Sequence, residues 1–475
     1  MPRLIRFNSI PESRSIIDIV TISNCFRLAL VITALAIAGQ LEAQVGLPAP
    51  ESETEGPTEV TPSPELSPGS SVQVSPDGGS PVAGATISAP FDIGRRLQIS
   101  TSIQGGYDDN VLLIPNGSPS WFSNPNAILS YQFGNDRLAV DLLTRGGIIY
   151  YFNHPGGLNY DPIVSLDLSL AYKVTLRLTL DFSTSSFYGA EPDYTTALSS
   201  TRRLGNYIRS ENRLSAQYSL SPRLTSVTSL FLSVLEYENS AASGNNRLQP
   251  GFSQQLRYLW QPTTPVSGAY RITVNDTQGG GGGSTQSLVA GLEQTFSPRL
   301  QAGLHSGVQF RSGGQTSPYV ETSLRYDLAG QGGYGLAPVG RTLSRQPANG
   351  TYIAWTVRYS IEESDVQTST GRETFRTNLL LNYAMTDRIS AGLALSYSHG
   401  DNGTSNQNLG ESSKETTFDI TPSVSYTITQ RCSVNVGYNY TDVSGRKTNS
   451  NPLNPLQSFG SYTRNRYFAG ITYSF

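Results

Sequence analysis

Cysteine is almost missing from this chain: Cys25 and Cys432 are the 2 in 475 residues. If the N-terminal 43 residues are a cleaved leader, Cys432 stands alone, and no internal disulfide can staple the exported protein. Histidine is equally scarce. His154, His305 and His399 are too few and too scattered for a metal cluster, and no Cys or His pair has ligand spacing, so neither metal nor cofactor is expected. Charged residues make up 15% of the chain, against about 25% in a typical soluble domain. The 33 basic and 36 acidic residues leave a net charge of −3, which excludes an electrostatic case for nucleic acid as partner. No run of 18 apolar residues follows the leader and helical periodicity is absent from residue 95 onward, so a membrane-spanning helix is excluded as well.

Glycine (46) and tyrosine (26) fill the gap, and that is a β composition. At the N-terminus, Leu28 to Ala38 form an apolar run behind Arg27 and ahead of the small residue Ala43. Such a run is too short to span a bilayer and has the layout of a secretory signal peptide over residues 1–43. Residues 44–94 are rich in Pro, Ser, Gly, Thr and Glu, and from Pro48 to Pro90 carry no aromatic. They cannot bury enough apolar surface to offset their ordering entropy, and are expected to be a disordered periplasmic tether.

From residue 95 to Phe475 strict alternation recurs, as in "RLAVDLL" from Arg137, "SLDLSLAY" from Ser165 and "CSVNVGYNY" from Cys432. Strand side chains alternate with period 2, so each stretch has one apolar and one polar face. A short punctuation separates many of them: "NDRL" at Asn135, "SPRL" at Ser221 and Ser297, "TDRI" at Thr386 and "TQRC" at Thr429. Each is a tight turn by composition. The intervening connections are longer and polar, and short turns at one end with long loops at the other describe an outer-membrane β-barrel. Counting up-and-down pairs predicts an all-β, transmembrane antiparallel barrel of about 18 strands, or 16 if the long connection from Leu328 to Gly350, where parity asks for a short turn, marks a miscount.

A secreted β-sandwich or β-helical adhesin alternates too. A sandwich domain, however, ends within about 100–150 residues, and here the pattern runs on without a boundary. Aromatics cluster at strand ends, as in Tyr150 with Tyr151 and Tyr258 with Trp260, which suits interfacial girdles. In "NRYFAGITYSF" the residues Tyr467, Ala469, Ile471, Tyr473 and Phe475 share one face, with Phe468 an apolar intruder on the other. This strand is expected to close the barrel against the first, with its stripe on lipid. Tyr467, Ile471, Tyr473 and Phe475 resemble the C-terminal aromatic signal by which the barrel-assembly machinery recognises outer-membrane proteins.

The opposite faces carry the charges. Arg145, Arg177, Arg213, Arg257, Arg271, Arg311, Arg325, Arg358 and Arg376 alternate with the lipid set, and so do Asp141, Asp167, Asp181, Glu293, Glu321 and Asp419. Arg209, Arg431, Glu211, Asp327 and Glu362 follow the same rule. An Arg at a lipid-facing midplane position costs about 2–4 kcal/mol, which confines these residues to a lumen whose charge is close to balance. Opposite charges there pair across the wall, a structural role compatible with selectivity.

"GGYDDNVLLIP", Gly105 to Pro115, resembles the opening motif of the β-barrel porin 2 family, with Leu112 where that motif often has an aromatic. The resemblance covers about ten residues. It implies an outer-membrane barrel of the kind that often accompanies exopolysaccharide or capsule export. On residue chemistry alone, Tyr107, Asp108, Asp109 and Asn110 end the first strand, and the three side-chain oxygens suit turn formation better than a divalent cation. "YSHGDNG", Tyr397 to Gly403, faintly resembles the His and Asn region of outer-membrane phospholipases, but Asp401 stands where the serine nucleophile belongs. No enzyme is expected. A barrel of 16 to 18 strands leaves an aqueous channel, so the expected function is a pore for passive or weakly selective solute passage in the outer membrane of a Gram-negative-type bacterium. Polysaccharide export, or a structural or adhesive role carried by the long loops, is the alternative.

Overall fold

The computed structural model describes residues 96–135, 137–153, 160–192, 205–239, 246–278, 282–297, 299–312, 314–328, 351–362, 369–404, 413–447 and 461–475. The segments expected to be a leader (1–43) and a tether (44–94), and His154, lie outside the described residues. Eighteen strands follow one another with no helix among the described residues: β1 (Arg96–Asp108), β2 (Ser120–Gly134), β3 (Leu138–Tyr151), β4 (Tyr160–Lys173), β5 (Leu178–Gly189), β6 (Tyr207–Ser221), β7 (Leu224–Tyr237), β8 (Arg247–Gln261), β9 (Thr264–Thr277), β10 (Gly283–Ser297), β11 (Leu300–Arg311), β12 (Thr316–Asp327), β13 (Tyr352–Glu362), β14 (Ser369–Ala384), β15 (Ile389–Thr404), β16 (Ser413–Thr429), β17 (Cys432–Lys447) and β18 (Tyr462–Ser474). Every strand is antiparallel to the next, and β18 pairs back onto β1 from Ser100↔Ser474 to Asp108↔Arg466. The sheet is a closed ring of 18 strands, which leaves no edge with unpaired N–H and C=O groups.

The recurring turn motif has a mechanism. Its first side chain accepts the N–H groups two and three residues on: Asn135 Oδ1 from Arg137 (2.9 Å) and Leu138 (2.7 Å), Ser221 Oγ from Arg223 and Leu224, Ser297 Oγ from Arg299 and Leu300, and Thr386 Oγ1 from Arg388 and Ile389. These are Asx and Ser/Thr turns, which reverse the chain in the fewest residues. Thr175 does the same in "TLRL".

The connection from Leu328 to Gly350 does not disturb the count. Asp327 pairs with Tyr352, and the Leu328 N–H donates to the Thr351 carbonyl at 2.7 Å, so β12 and β13 are neighbours down to the base. Residues 329–350 lie outside the described residues. The barrel has 18 strands, not 16.

Burial is inverted relative to a soluble β-protein. Leu97, Ile103, Trp121, Leu230, Leu288, Trp260 and Val436 are exposed on the outer face, whereas Thr374, Thr441, Ser360 and Asn124 are almost wholly buried inside. A large apolar outer surface over a polar interior needs lipid rather than water outside, which excludes the sandwich. Aromatic girdles flank the apolar band. Tyr172, Tyr218, Trp260, Phe296, Tyr383, Tyr426 and Tyr473 ring the turn end, and Trp121, Tyr150, Tyr160, Phe310, Phe375 and Tyr467 ring the loop end. The terminal stripe Tyr467, Ile471, Tyr473 and Phe475 is exposed on the outer face, and Cys432 lies on that face opposite Tyr473.

Candidate functional site in the barrel lumen

At the loop end, part of the lumen is filled. The segment from Asp109 to Pro119, between β1 and β2, turns inward, so that Val111 is 0% and Leu113 2% exposed. Val111 packs on an arc of inward-facing side chains that includes Phe122, Ile149, Tyr151, Ile163, Phe187, Tyr207, Leu235, Tyr237 and Phe468. The rings touch in sequence, with centroids 5.5 Å apart for Phe187 and Tyr207 and 5.6 Å for Tyr207 and Tyr237. Phe468, the intruder of the terminal strand, lies against Gly437, where a Cβ would stand 2.3 Å from the ring. Each aliphatic side chain buried this way contributes about 1.5–3 kcal/mol, enough to hold a short loop against a wall.

A buried ion cluster fixes the same end. Arg464 of β18 donates through Nε to Asp108 Oδ1 (3.1 Å) and through Nη2 to Asp108 Oδ2 (2.5 Å). Its Nη1 reaches Glu191 Oε2 at 2.8 Å, in the segment after β5. The Tyr151 hydroxyl donates to Glu191 Oε1 at 3.0 Å, and the Tyr207 hydroxyl to the Glu191 carbonyl at 2.7 Å. Asp109 accepts from the Asn465 N–H (2.7 Å) and Nδ2 (2.6 Å), while Asn110 Nδ2 donates to the Thr463 carbonyl at 2.9 Å. The Tyr107–Asn110 motif is therefore a clamp across the β1–β18 seam as well as a strand end. Leu113 sits at φ 56°, a strained conformation for a bulky residue, and Gly117 passes so close to Asn110 that a Cβ would lie 1.7 Å from its Oδ1.

Register places the candidate lumen residues as follows. Arg145 faces inward between Ile128 and Ser165, Asp141 between Gln132 and Ser169, Asp167 between Leu143 and Ser185, and Asp181 between Ala171 and Ser215. On the other wall Arg257 meets Glu293 at 2.7 Å, and His305 lies 3.9 Å from the same carboxylate. Arg325 approaches Asp327 at 3.4 Å and lies over the Tyr352 ring. Arg311, buried, lies opposite Thr285. Asp419 accepts hydrogen bonds from Asn439 and Thr441, both at its Oδ2. Arg209 faces Phe187 and Leu235, and Glu211 faces Ser185 and Ser233.

Mid-height, Arg213, Arg271, Arg358 and Arg376 point inward. Arg213 donates to Ser215 Oγ and Ser229 Oγ, both at 3.0 Å. Arg271 stacks 4.2 Å over the Phe231 ring, and that ring lies against Gly251, where a Cβ would come within 2.0 Å of it. Arg358 pairs in register with Glu321 on one side and Arg376 on the other.

Two candidates are corrected. Arg177 is an exposed residue of the turn between β4 and β5, because Thr175 Oγ1 captures its N–H and the chain reverses there, so alternation no longer aims it into the lumen. Arg431 is exposed in the turn before β17 for the same reason, its N–H donating to Thr429 Oγ1. The side chain of Glu362 lies outside the described residues. His399 faces outward on β15, its Nδ1 2.8 Å from Thr416 Oγ1. The main residues that sequence reading missed are Arg464, Arg466 and Glu191. The first two were accessible by parity, since they alternate with the Tyr467 stripe, while Glu191 belongs to a loop that alternation does not reach.

The family described as a membrane bound β-barrel domain (DUF5777) matches residues 295–463. No curated protein matches the chain. Solved structures similar to it include the siderophore receptor PirA from Pseudomonas aeruginosa (9% identity, TM-score 0.39, 82% of this chain and 81% of that one). Others are OpdK from Pseudomonas aeruginosa with vanillate (12% identity, TM-score 0.41, 80% and 99%) and OccAB4 from Acinetobacter baumannii (11% identity, TM-score 0.39, 80% and 98%). Ring closure, an apolar outer face and the family match over residues 295–463 agree: the chain is a membrane-bound β-barrel.

Proposed function

We propose that the protein is an outer-membrane pore for passive passage of small hydrophilic solutes, in a Gram-negative-type bacterium. The observation that carries this is the closed ring of 18 strands around a polar, charged interior, since barrels of that size leave an aqueous channel. The inward loop at Val111 narrows one end of it. No chemical step is assigned to any side chain, and lipid and the barrel-assembly machinery are the partners in this reading. The experiment is liposome swelling with the purified protein and sugars of increasing size. Entry that falls off with solute size supports the pore, and impermeable liposomes carrying correctly folded protein contradict it.

A second reading is export of polysaccharide, from the likeness of Gly105–Pro115 to the β-barrel porin 2 family. The aromatic arc of Tyr151, Phe187, Tyr207 and Tyr237 does not favour it as an open sugar track, because Val111 and its neighbours cover these rings. A deletion strain separates the two, losing solute uptake under the first reading and surface polysaccharide under the second.

A further inference from the structure

We propose that the turn end of the barrel is a collar for the phosphate groups of anionic phospholipids, built from six Arg–Tyr units. It requires only the membrane-bound barrel, whether or not the lumen conducts. Arg137, Arg177, Arg223, Arg299, Arg388 and Arg431 hold the same place in six turns, each directly before the strand that follows, and each is exposed. Every other arginine whose side chain is described is buried or half-buried. In all six turns the residue after the arginine stands in register with an outward tyrosine of the next strand: Leu138 with Tyr172, Leu178 with Tyr218, Leu224 with Tyr258, Leu300 with Tyr326, Ile389 with Tyr426 and Cys432 with Tyr473. The arginine's own carbonyl accepts the N–H of the residue after that tyrosine, at 2.8 Å in five turns and 2.9 Å at Arg299. Each arginine is therefore rooted one residue, about 3.4 Å, outside a tyrosine of the girdle. The six tyrosines are all 37% to 46% exposed on the outer face.

The two residue types also disappear together. In the turn between β8 and β9, Thr263 stands at the arginine's place, its carbonyl accepting from the Thr295 N–H, and Gln294 stands at the tyrosine's place. The turn itself does not ask for arginine, because the side chain two residues earlier captures the N–H groups. Tyrosine rings of a girdle lie at headgroup level, so a cation one residue further out stands among the phosphates, and the guanidinium fork matches a phosphate bidentately. None of the six arginines has an ion pair within the described structure. Lys173, also exposed, adds a seventh positive charge to this rim. The rim's described acidic groups are fewer: Asp387, the Phe475 carboxylate, and Asp327, which Arg325 approaches at 3.4 Å. Asp136, in the Arg137 turn, lies outside the described residues. Asp141, Asp181 and Glu293 lie deeper on the lumen wall and have contacts of their own. The six units are spread around the ring from the β2–β3 turn to the β16–β17 turn. Lipid surrounds a barrel and meets all of them, whereas a docked protein meets one side.

The test reads lipid contact beside one unit. Of the three tryptophans, Trp260 lies on the outer face next to Leu259, whose N–H donates to the Arg223 carbonyl, and Trp121 lies at the loop end. The full-length protein carrying W121F/W355F is reconstituted in phosphatidylcholine vesicles that contain brominated phosphatidylglycerol or brominated phosphatidylcholine, since bromine quenches a tryptophan it touches. Phosphatidylglycerol is expected to bind at Trp260 at least about fivefold more strongly than phosphatidylcholine, the worth of one basic residue near an anionic surface, and R223Q is expected to remove that factor. R223K is expected to keep most of it, and high salt to weaken it by screening. W260F/W355F, read at Trp121, is expected to show no such preference. Equal binding of the two lipids at Trp260 overturns the collar and leaves the arginines to a soluble acidic partner; a preference unchanged in folded R223Q, or equally strong at Trp121, overturns it too. The readout needs no current, so a silent barrel leaves the collar standing, and failure of the collar leaves the pore standing.

Discussion

Arg464 and Asp108 are 356 residues apart in sequence, yet the guanidinium of one donates to both carboxylate oxygens of the other across the seam where β18 meets β1. Glu191 completes the cluster from the segment after β5, so a single arginine ties the first strand, the last strand and a loop on the inner wall.

Replacing Arg464 by Ala leaves two buried carboxylates facing each other, and removal of one partner of a buried pair costs about 3–5 kcal/mol. The folded band on an unboiled gel is expected to convert at a clearly lower temperature than in the wild type. R464M with Asp108→Asn and Glu191→Gln, which removes the charges together, is expected to recover much of the loss. An R464A band that survives as well as the wild type would show that the cluster does not hold the seam.

Val111→Asp places a carboxylate where the wall is apolar, at a cost of several kcal/mol. The loop is expected to leave its seat against Phe122 and Tyr151, so single-channel conductance should rise and become noisier. Unchanged conductance would mean that the inward loop does not narrow the path.

Cys432 faces lipid and Ser433 faces the lumen. A water-soluble maleimide is expected to leave Cys432 unlabelled in the folded protein and to react with C432S/S433C. The opposite pattern would mean that β17 is out of register by one residue, since such a slip exchanges the faces.

The Phe475 N–H donates to the Ile99 carbonyl at 2.9 Å and its ring packs on Tyr473. Phe475→Asp puts a charge into the turn-end aromatic girdle at the seam. Assembled protein in the outer-membrane fraction is expected to fall sharply; normal levels would show that this residue is dispensable for insertion.

Most of the wall was legible in the sequence because alternation is a local signal. The period-2 pattern sorts Tyr467 from Arg466 and Cys432 from Ser433 with no knowledge of their neighbours, and the Asn, Ser or Thr that opens each short turn acts within three residues. The limits have the same origin. Alternation ran on through Thr175 and Thr429 and so mis-aimed Arg177 and Arg431. The clamp of Asp108 on Arg464 joins residues that become neighbours only when the ring closes, and the inward seat of Val111 depends on rings from six strands.

The central claim is a water-filled path through a closed ring, and current through a planar bilayer tests it most directly. Purified protein with a heat-modifiable fold is expected to insert in discrete conductance steps of uniform size. A bilayer that stays electrically silent while containing that same folded protein would contradict the account.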